Sequence, residues 1–303
     1  MNEIKLAKNC PVCKANSWGV IFSGRIRDGQ FGSFTAAQSK VVACTTCSVQ
    51  RLFDFVLTID EYERAEYRLK YNGTKHDLSL LALHDEEQAS RMAIIGTKLL
   101  RGSTIIDVGC GHGAFLDSVG GLAARTIGIE PFTELHSSLR DRGHEVFKPL
   151  DIKIVELISS ADLVTSFGVI EHLEDPYEHL TMAWSFVKPG GRLVLLTDNL
   201  DEILLTTSAK NFEQFFYRTA HNWYFSPLTL ERLAIRAGLK DIQISTVHEF
   251  NFSNFMNWHK ESRPTGNLHT SPLGQDFESV WKSSVERTGH GNLVKMIATK
   301  DGS

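Results

Sequence analysis

The stretch IIDVGCGHGAF, residues 105–115, constrains this chain more than any other. A short apolar run ends on Asp107 and passes into three alternating glycines, Gly109, Gly111 and Gly113. Glycine accepts positive φ and lets a ligand approach the main chain, at an entropic cost. A turn that carries this cost three times holds something against its backbone. A dinucleotide site needs G-x-G-x-x-G, so that helix packs closely on strand beneath a pyrophosphate. The spacing here is G-x-G-x-G, with an aspartate just ahead of it. That charge is awkward for a phosphate and suits a cationic or ammonium-bearing ligand. A second apolar run, IGIE, ends on Glu130, whose ionised oxygens can accept both hydroxyls of a ribose. An acid, a glycine turn and a second acid on consecutive strand ends would grip a nucleoside with an amino-acid tail.

The surrounding chain alternates between strand and helix. Strand-like runs occupy 104–108, 125–130, 144–148, 162–167 and 192–197, with helical patterns such as PFTELHSSLRDRG and DPYEHLTMAWSFVKPGG between most of them. Continuous apolar strands separated by helices predict an α/β fold, a mostly parallel sheet covered on both faces. Residues 199–225 interrupt the alternation and read as a lid. SPLTLERLAIRAGL then restarts a helix, with Ser226 as its cap. Two final runs, KDIQISTVHEF and NLVKMIATK, flank an insertion at 251–290 and predict a closing antiparallel strand. Ahead of all this, residues 1–57 read as short strands and turns carrying four cysteines. Residues 58–101 read as a helical connector that opens on a Thr-x-x-Glu capping box at Thr58. The expected organisation is therefore 1–57, 58–101 and a main domain at 102–303.

Composition narrows the partners. Apolar residues make up 42% and charged residues 22% of the 303, as in ordinary soluble domains. A net charge of −4 gives no electrostatic reason to expect nucleic acid. The first ten residues lack the apolar core of a secretory signal, and no run is long enough to span a bilayer. A cytoplasmic protein without a membrane partner is expected. No pattern in the sequence specifies an oligomeric state.

IIDVGCGHGAF, IGIEP, DLVTSFGVIEHLEDP and FVKPGGRLVLLTDN together resemble successive motifs of the class I S-adenosylmethionine-dependent methyltransferases. The resemblance covers roughly residues 100–200, in order and in register. It implies a Rossmann-like, mostly parallel seven-stranded sheet, with S-adenosylmethionine as cofactor. Asp107 and the Gly109–Gly113 loop would hold the methionine part and Glu130 the ribose. Asp151, in KPLDI, would lie near the adenine, and Phe167 beside the cofactor.

Methyl transfer from a sulfonium is an in-line displacement, so the protein positions the acceptor and removes its proton. Glu171 and His172, in VIEHLEDP just beyond the fourth strand, are the candidate base, since ligands of open α/β sheets bind at the carboxyl ends of strands. The plainer reading of His172 is a cap or packing residue of the following helix. In the resembling family this Glu-His pair serves as base in sugar C-methyltransferases and as part of a metal site in ubiquinone-pathway O-methyltransferases. The latter place another glutamate three residues earlier, where this chain has Gly168, so no catalytic metal is expected. His221 and Tyr224, in RTAHNWYFSP, are further candidates if that segment closes on the acceptor; packing would explain them too.

The cysteines point to a metal. CPVC (Cys10, Cys13) and CTTC (Cys44, Cys47) supply four soft ligands suited to a tetrahedral, structural Zn2+. Cys110, within the glycine turn, reads as packing. Zinc knuckles ahead of a connector and a methyltransferase core resemble the zinc-bearing sugar C-methyltransferases and enzymes of polysaccharide clusters, though this chain is shorter and leaves O- versus C-methylation open. The resemblance implies a small-molecule acceptor, a nucleotide sugar or related carbohydrate. Arg25, Arg27 or Asp28 would meet it, unless they simply form an exposed hairpin. Tyr67 and Tyr71 either cover the cofactor or pack the connector. Alternatives are a quinone- or phenol-type O-methyltransferase, an RNA methyltransferase, and a cofactor-binding protein without catalysis.

Overall fold

The computed structural model describes residues 3–6, 8–29, 32–54, 85–149, 151–265 and 273–302. The connector is thus described only from residue 85 onward. Tyr67, Tyr71 and the Thr58 capping box lie outside the described residues. Two compact units emerge, one from Met1–Val56, Leu196–Leu233 and Gln243–Met296, the other from Leu57–Leu195, Ala234–Ile242 and Ile297–Ser303.

The first, the cysteine unit, is built on a five-stranded antiparallel sheet. Its order is β1 (Glu3–Ile4), β2 (Trp18–Gly24), β3 (Ser39–Cys44), β4 (Gln50–Leu52) and, from far along the chain, β10 (Trp223–Tyr224). The segment at 199–225 falls within this unit, which joins Met1–Val56 to two later stretches of the chain. The reason lies in its composition. FEQFFYRTAHNWYF carries too much aromatic surface to stand in water, and burying such side chains dominates the energetics of packing. Its short helices α6 (Ile203–Thr206) and α7 (Phe212–Phe216) bury Leu204, Phe212 and Phe216 with Ile26, Val41 and Leu52. The insertion at 251–290 supplies α9 (Phe252–Glu261) and α10 (Gly274–Arg287), and Trp258 of α9 joins the same core.

The second, the glycine-turn unit, carries the alternating fold. β5 (Thr104–Val108) lies between β6 (Arg125–Ile129) and β8 (Ala161–Phe167), with β7 (Glu145–Phe147) beyond β6, all parallel. Helices α1 (Asp85–Ile95), α2 (Thr97–Leu100), α3 (Ala114–Gly120), α4 (His136–Asp141) and α5 (Pro176–Phe186) intervene. Ile105, Ile106, Ile127, Leu163 and Val164 are fully buried, which explains the continuous apolar runs. The full sheet has the order β11 (Ile242–Val247), β12 (Leu293–Thr299), β9 (Val187–Asp198), β8, β5, β6, β7. The Gly190 amide donates to the Lys300 carbonyl at 2.8 Å, and Asn199 to Asn292 at 2.9 Å. Opposite ends of β9 and β12 therefore meet, and β12 is the antiparallel closing strand. The expected Rossmann-like architecture is the observed one. α8 (Pro227–Arg236) starts as the sequence reads, with the Ser226 hydroxyl accepting from the Thr229 amide at 3.2 Å.

Candidate functional site

Gly109, Gly111 and Gly113 all take positive φ, at 81°, 54° and 83°. Space forbids side chains as well. A Cβ on Gly109 would stand 2.4 Å from a Val169 methyl, and one on Gly113 2.4 Å from a Leu139 methyl. Glu130, buried at the end of β6, accepts from the Gly111 and Phe132 amides, each at 2.9 Å. One carboxylate thus fixes the turn from behind. Cys110 sinks beneath it among Leu116, Phe132, Leu135 and Leu139, the packing role that its small size suggested. Arg142 donates to the His112 carbonyl and pairs with Asp117, which also holds His144 at 2.8 Å. Arg142 had no local signal in the sequence, because it reaches the turn from the far end of α4.

Asp107 is 4% exposed and accepts from the Thr165 hydroxyl at 2.7 Å. Burial pushes its pKa up to about 6, and the negative charge of Glu130 adds to this against Thr165 and Arg91. A carboxylate held so near its titration gains from a cationic group beside it, as the sequence argument required. Arg91 of α1 lies 4.7 Å above the Phe167 ring, which packs edge-on against Phe115. Asp151 is half-buried and accepts from the Lys153 amide at 2.9 Å, capping a 3-10 turn over Ile152–Leu157. These residues fit S-adenosylmethionine in charge and in the close approach that the glycines allow.

Glu171 and His172 share a single 3-10 turn, Ile170–His172, which follows Gly168 at φ 65° beyond β8. Glu171 is buried and His172 half-buried. The cap of α5 is Asp175, which accepts from the Tyr177 and Glu178 amides. Asp175, and not His172, is therefore the cap of that helix.

His221 and Tyr224 belong to the cysteine unit. His221 Nδ1 lies 3.2 Å from Asp198, which also pairs with Arg218 at 2.7 Å. Burial alone would raise the Asp198 pKa, but Arg218, His221 and Arg27 together hold it well below the usual carboxylate range. The buried Tyr224 hydroxyl accepts from the Arg218 amide at 2.9 Å and donates to its carbonyl at 3.2 Å. Burial pushes that phenol far up, so it keeps its proton and works as a brace for the loop. Of the three hairpin residues, Arg25 donates to the Thr35 carbonyl at 2.7 Å and Asp28 accepts from the Thr219 hydroxyl at 2.7 Å. Arg27 alone lines a cavity of this unit.

The four knuckle cysteines converge. Sγ of Cys10 and Cys47 lie 3.5 Å apart, as do those of Cys13 and Cys44, and all four fall within 4.8 Å of one another. Tetrahedral zinc with Zn–S bonds of about 2.3 Å places its sulfurs about 3.8 Å apart, so the set fits that ion. No pair is a disulfide. Hydrogen bonding to Cys47 draws the Cys10 pKa down to about 5, and the same bond drives Cys47 upward. Burial lifts Cys13 to about 11.

A sheet of this order, with a ligand turn at the carboxyl end of its central strand, is the architecture of class I S-adenosylmethionine-dependent methyltransferases. A family model described as a methyltransferase domain matches residues 82–244, more than half of the chain, and the chain belongs to that family. Human mitochondrial ubiquinone biosynthesis O-methyltransferase is 29% identical over 178 residues, covering 53% of this chain and 48% of the relative. The ubiquinone biosynthesis O-methyltransferase of Neisseria meningitidis is 29% identical over 197 residues, covering 60% and 82%. A tRNA U34 carboxymethyltransferase of Enterobacter is 31% identical over 160 residues, covering 49% and 48%. The chain spans about half the length of the mitochondrial relatives it matches. A solved S-adenosylmethionine-dependent methyltransferase of Archaeoglobus fulgidus aligns with a TM-score of 0.48 and 19% identity, over 74% of this chain and all of that one. Among the described residues no helix is long and apolar enough to cross a membrane.

Proposed function

We propose that this chain methylates a hydroxyl oxygen of a small phenolic or quinol-type acceptor, with Glu171 and His172 managing the acceptor's proton. The observation that carries the reading is the recurrence of ubiquinone biosynthesis O-methyltransferases among relatives that match half or more of the chain. The sugar-linked acceptor suggested by the motif resemblance has no comparable support.

Bound S-adenosylmethionine would supply an already activated methyl group. Asp107 would attract its ammonium, the Gly109–Gly113 backbone would accommodate its tail, and Glu130 would offer remaining lone pairs to the ribose hydroxyls. Phe167 and Asp151 would border the sulfonium and the adenine. The acceptor hydroxyl becomes nucleophilic as its proton leaves, and a histidine titrates in the range where it can take that proton near neutrality. The buried Glu171, next in sequence, would favour the imidazolium that results. The proton then passes to solvent. Gly168 offers no ligand, and the reading routes no step through a metal. In the cysteine unit, Cys10, Cys13, Cys44 and Cys47 would hold a structural zinc ion.

The test is methyl transfer to a panel of catechols, quinols and nucleotide sugars, read as a mass gain of one methylene on the product. Transfer to a catechol or quinol with none to nucleotide sugars is expected. Transfer confined to nucleotide sugars would overturn the reading.

A further inference from the structure

The cysteine unit contains a cavity of about 270 Å³ that none of the relatives' names accounts for. Its walls are aromatic, formed chiefly by Phe212, Phe215, Phe216, Phe250 and Trp258. Phe212 stands edge-on to Trp258 with ring centroids 4.9 Å apart, and Phe215 lies 5.0 Å from the same indole. Volume sets the first limit. An apolar cavity of about 150 Å³ takes a benzene molecule. The space here suits one ring with substituents.

Charge sets the second limit. Arg27 and Arg218 reach the cavity, and so do Asp198, Glu202 and Glu249. Arg218 is paired with Asp198 at 2.7 Å, and the Arg27 guanidinium lies 4.4 Å over the Phe215 ring. Glu249 accepts from the Asn292 side-chain amide at 2.9 Å. Glu202 is 7% exposed. Burial, and then the charge of Asp198, push its pKa up to about 8, so near neutrality it is an uncharged acid. Two guanidiniums then face two carboxylates. A dianionic diphosphate would meet guanidiniums already compensated and would add repulsion from both acids. A neutral ring bearing hydroxyls loses nothing to that balance and finds acceptors in Glu249 and the Glu202 carbonyl oxygen.

We propose that this cavity binds an uncharged hydroxylated aromatic ring, with Phe215 and Trp258 packing the ring and Glu202 and Glu249 meeting its hydroxyls. The proposal rests on the phenolic reading above for the chemistry of its ligand. It sets Arg27 apart as a wall of the cavity rather than as an anion receptor.

The experiment is calorimetric titration of the zinc-loaded chain, with S-adenosylhomocysteine bound, by catechol, benzoate and UDP-glucose as probes. Catechol is expected to bind at least tenfold more tightly than benzoate, with UDP-glucose giving no heat. Phe215→Ala should weaken catechol at least tenfold while leaving S-adenosylhomocysteine affinity within twofold. Should Phe215→Ala fail to fold, Glu202→Gln serves in its place. It keeps the shape, and it should remove the change in catechol affinity that the wild type shows as pH passes through about 8. Because Asp198, Arg218, Arg27, Glu249 and His221 also lie in or beside this network, the comparison of the two pH profiles isolates Glu202. Tighter binding of benzoate or UDP-glucose than of catechol would overturn the proposal, as would catechol affinity unmoved by both variants. Catechol that binds in the cavity but is never methylated would leave this site standing and sink the proposed reaction. Catechol that is methylated with a KM indifferent to both variants would do the reverse.

Discussion

The glycine turn and the aromatic cavity are the two proposed ligand sites, and they are made of opposite materials. In the turn the ligand surface is main chain, exposed by removing side chains at Gly109, Gly111 and Gly113 and pinned by the single carboxylate of Glu130. In the cavity the backbone is covered, and the surface consists of rings and compensated charges. The first arrangement is written in consecutive residues, because a backbone conformation is a local property. The second is assembled from Arg27, residues near 200–218, Glu249 to Trp258 and Asn292, and exists only once those segments have met. A backbone site tolerates little at the positions that shape it, whereas a side-chain site can be retuned one wall at a time.

The sharpest way to separate the two is to deprive the four cysteines of the zinc ion they are proposed to hold. Chelation, or Cys47→Ser, should lower zinc from one ion per chain and destabilise the cysteine unit by several kcal/mol, since structural zinc contributes folding free energy directly. Differential scanning calorimetry should show a lost or strongly lowered transition. S-adenosylhomocysteine affinity should stay within a few-fold, and a collapse of that affinity would refute the independence of the two sites. Next comes His172→Ala, expected to reduce kcat by about 10²–10⁴-fold with cofactor affinity unchanged, as loss of a general base does. Single-turnover kinetics would check it.

Glu130→Ala follows, since the Gly111 and Phe132 amides lose their acceptor. S-adenosylhomocysteine should bind about 100-fold more weakly, or about 3 kcal/mol, by calorimetry. An unchanged constant would show that the turn holds its shape without its anchor. The smallest effect concerns Glu202. A carboxyl whose pKa rises to about 8 on folding contributes stability that is complete below the unfolded value near 4.5 and is lost as pH rises through about 8. Glu202→Gln should flatten that fall, which we place on the order of 2 kcal/mol. Urea denaturation at pH 6 and pH 9 measures it. A wild-type midpoint that did not drop between those pH values would contradict the neutral acid.

Much of the fold was legible because its signals are short-range. The apolar runs of β5, β6 and β8 and the helices between them read directly as an α/β sheet. The two Cys-x2-Cys pairs announced their convergence, and Asp107, Glu130 and the glycines were found from spacing and charge. What escaped has a common physical cause. Thr165 and Arg91 act on Asp107 from other elements, and Arg142 reaches His112 across a helix, so none leaves a local trace. β10 is only two residues long, too short for any periodicity, so its place at the sheet edge within the 199–225 segment left no signal. Capping was one alternative to a catalytic role for His172, and Asp175, three residues on, holds that place instead.

That sheet edge has a consequence for how the chain is made. β4 leaves the ribosome early but finds its neighbour β10 only after most of the glycine-turn unit has been synthesised. At about 5–20 residues per second the wait is roughly ten to thirty seconds. During it, the polar backbone on one side of Gln50–Leu52 is an unpaired edge, the kind that recruits strangers. The cysteine knuckles lie wholly upstream of this interval, and a zinc ion taken up there would clasp β2 and β3 in register while the nascent chain waits. Metal supply would then govern the yield of native protein at synthesis as well as the stability of protein already folded.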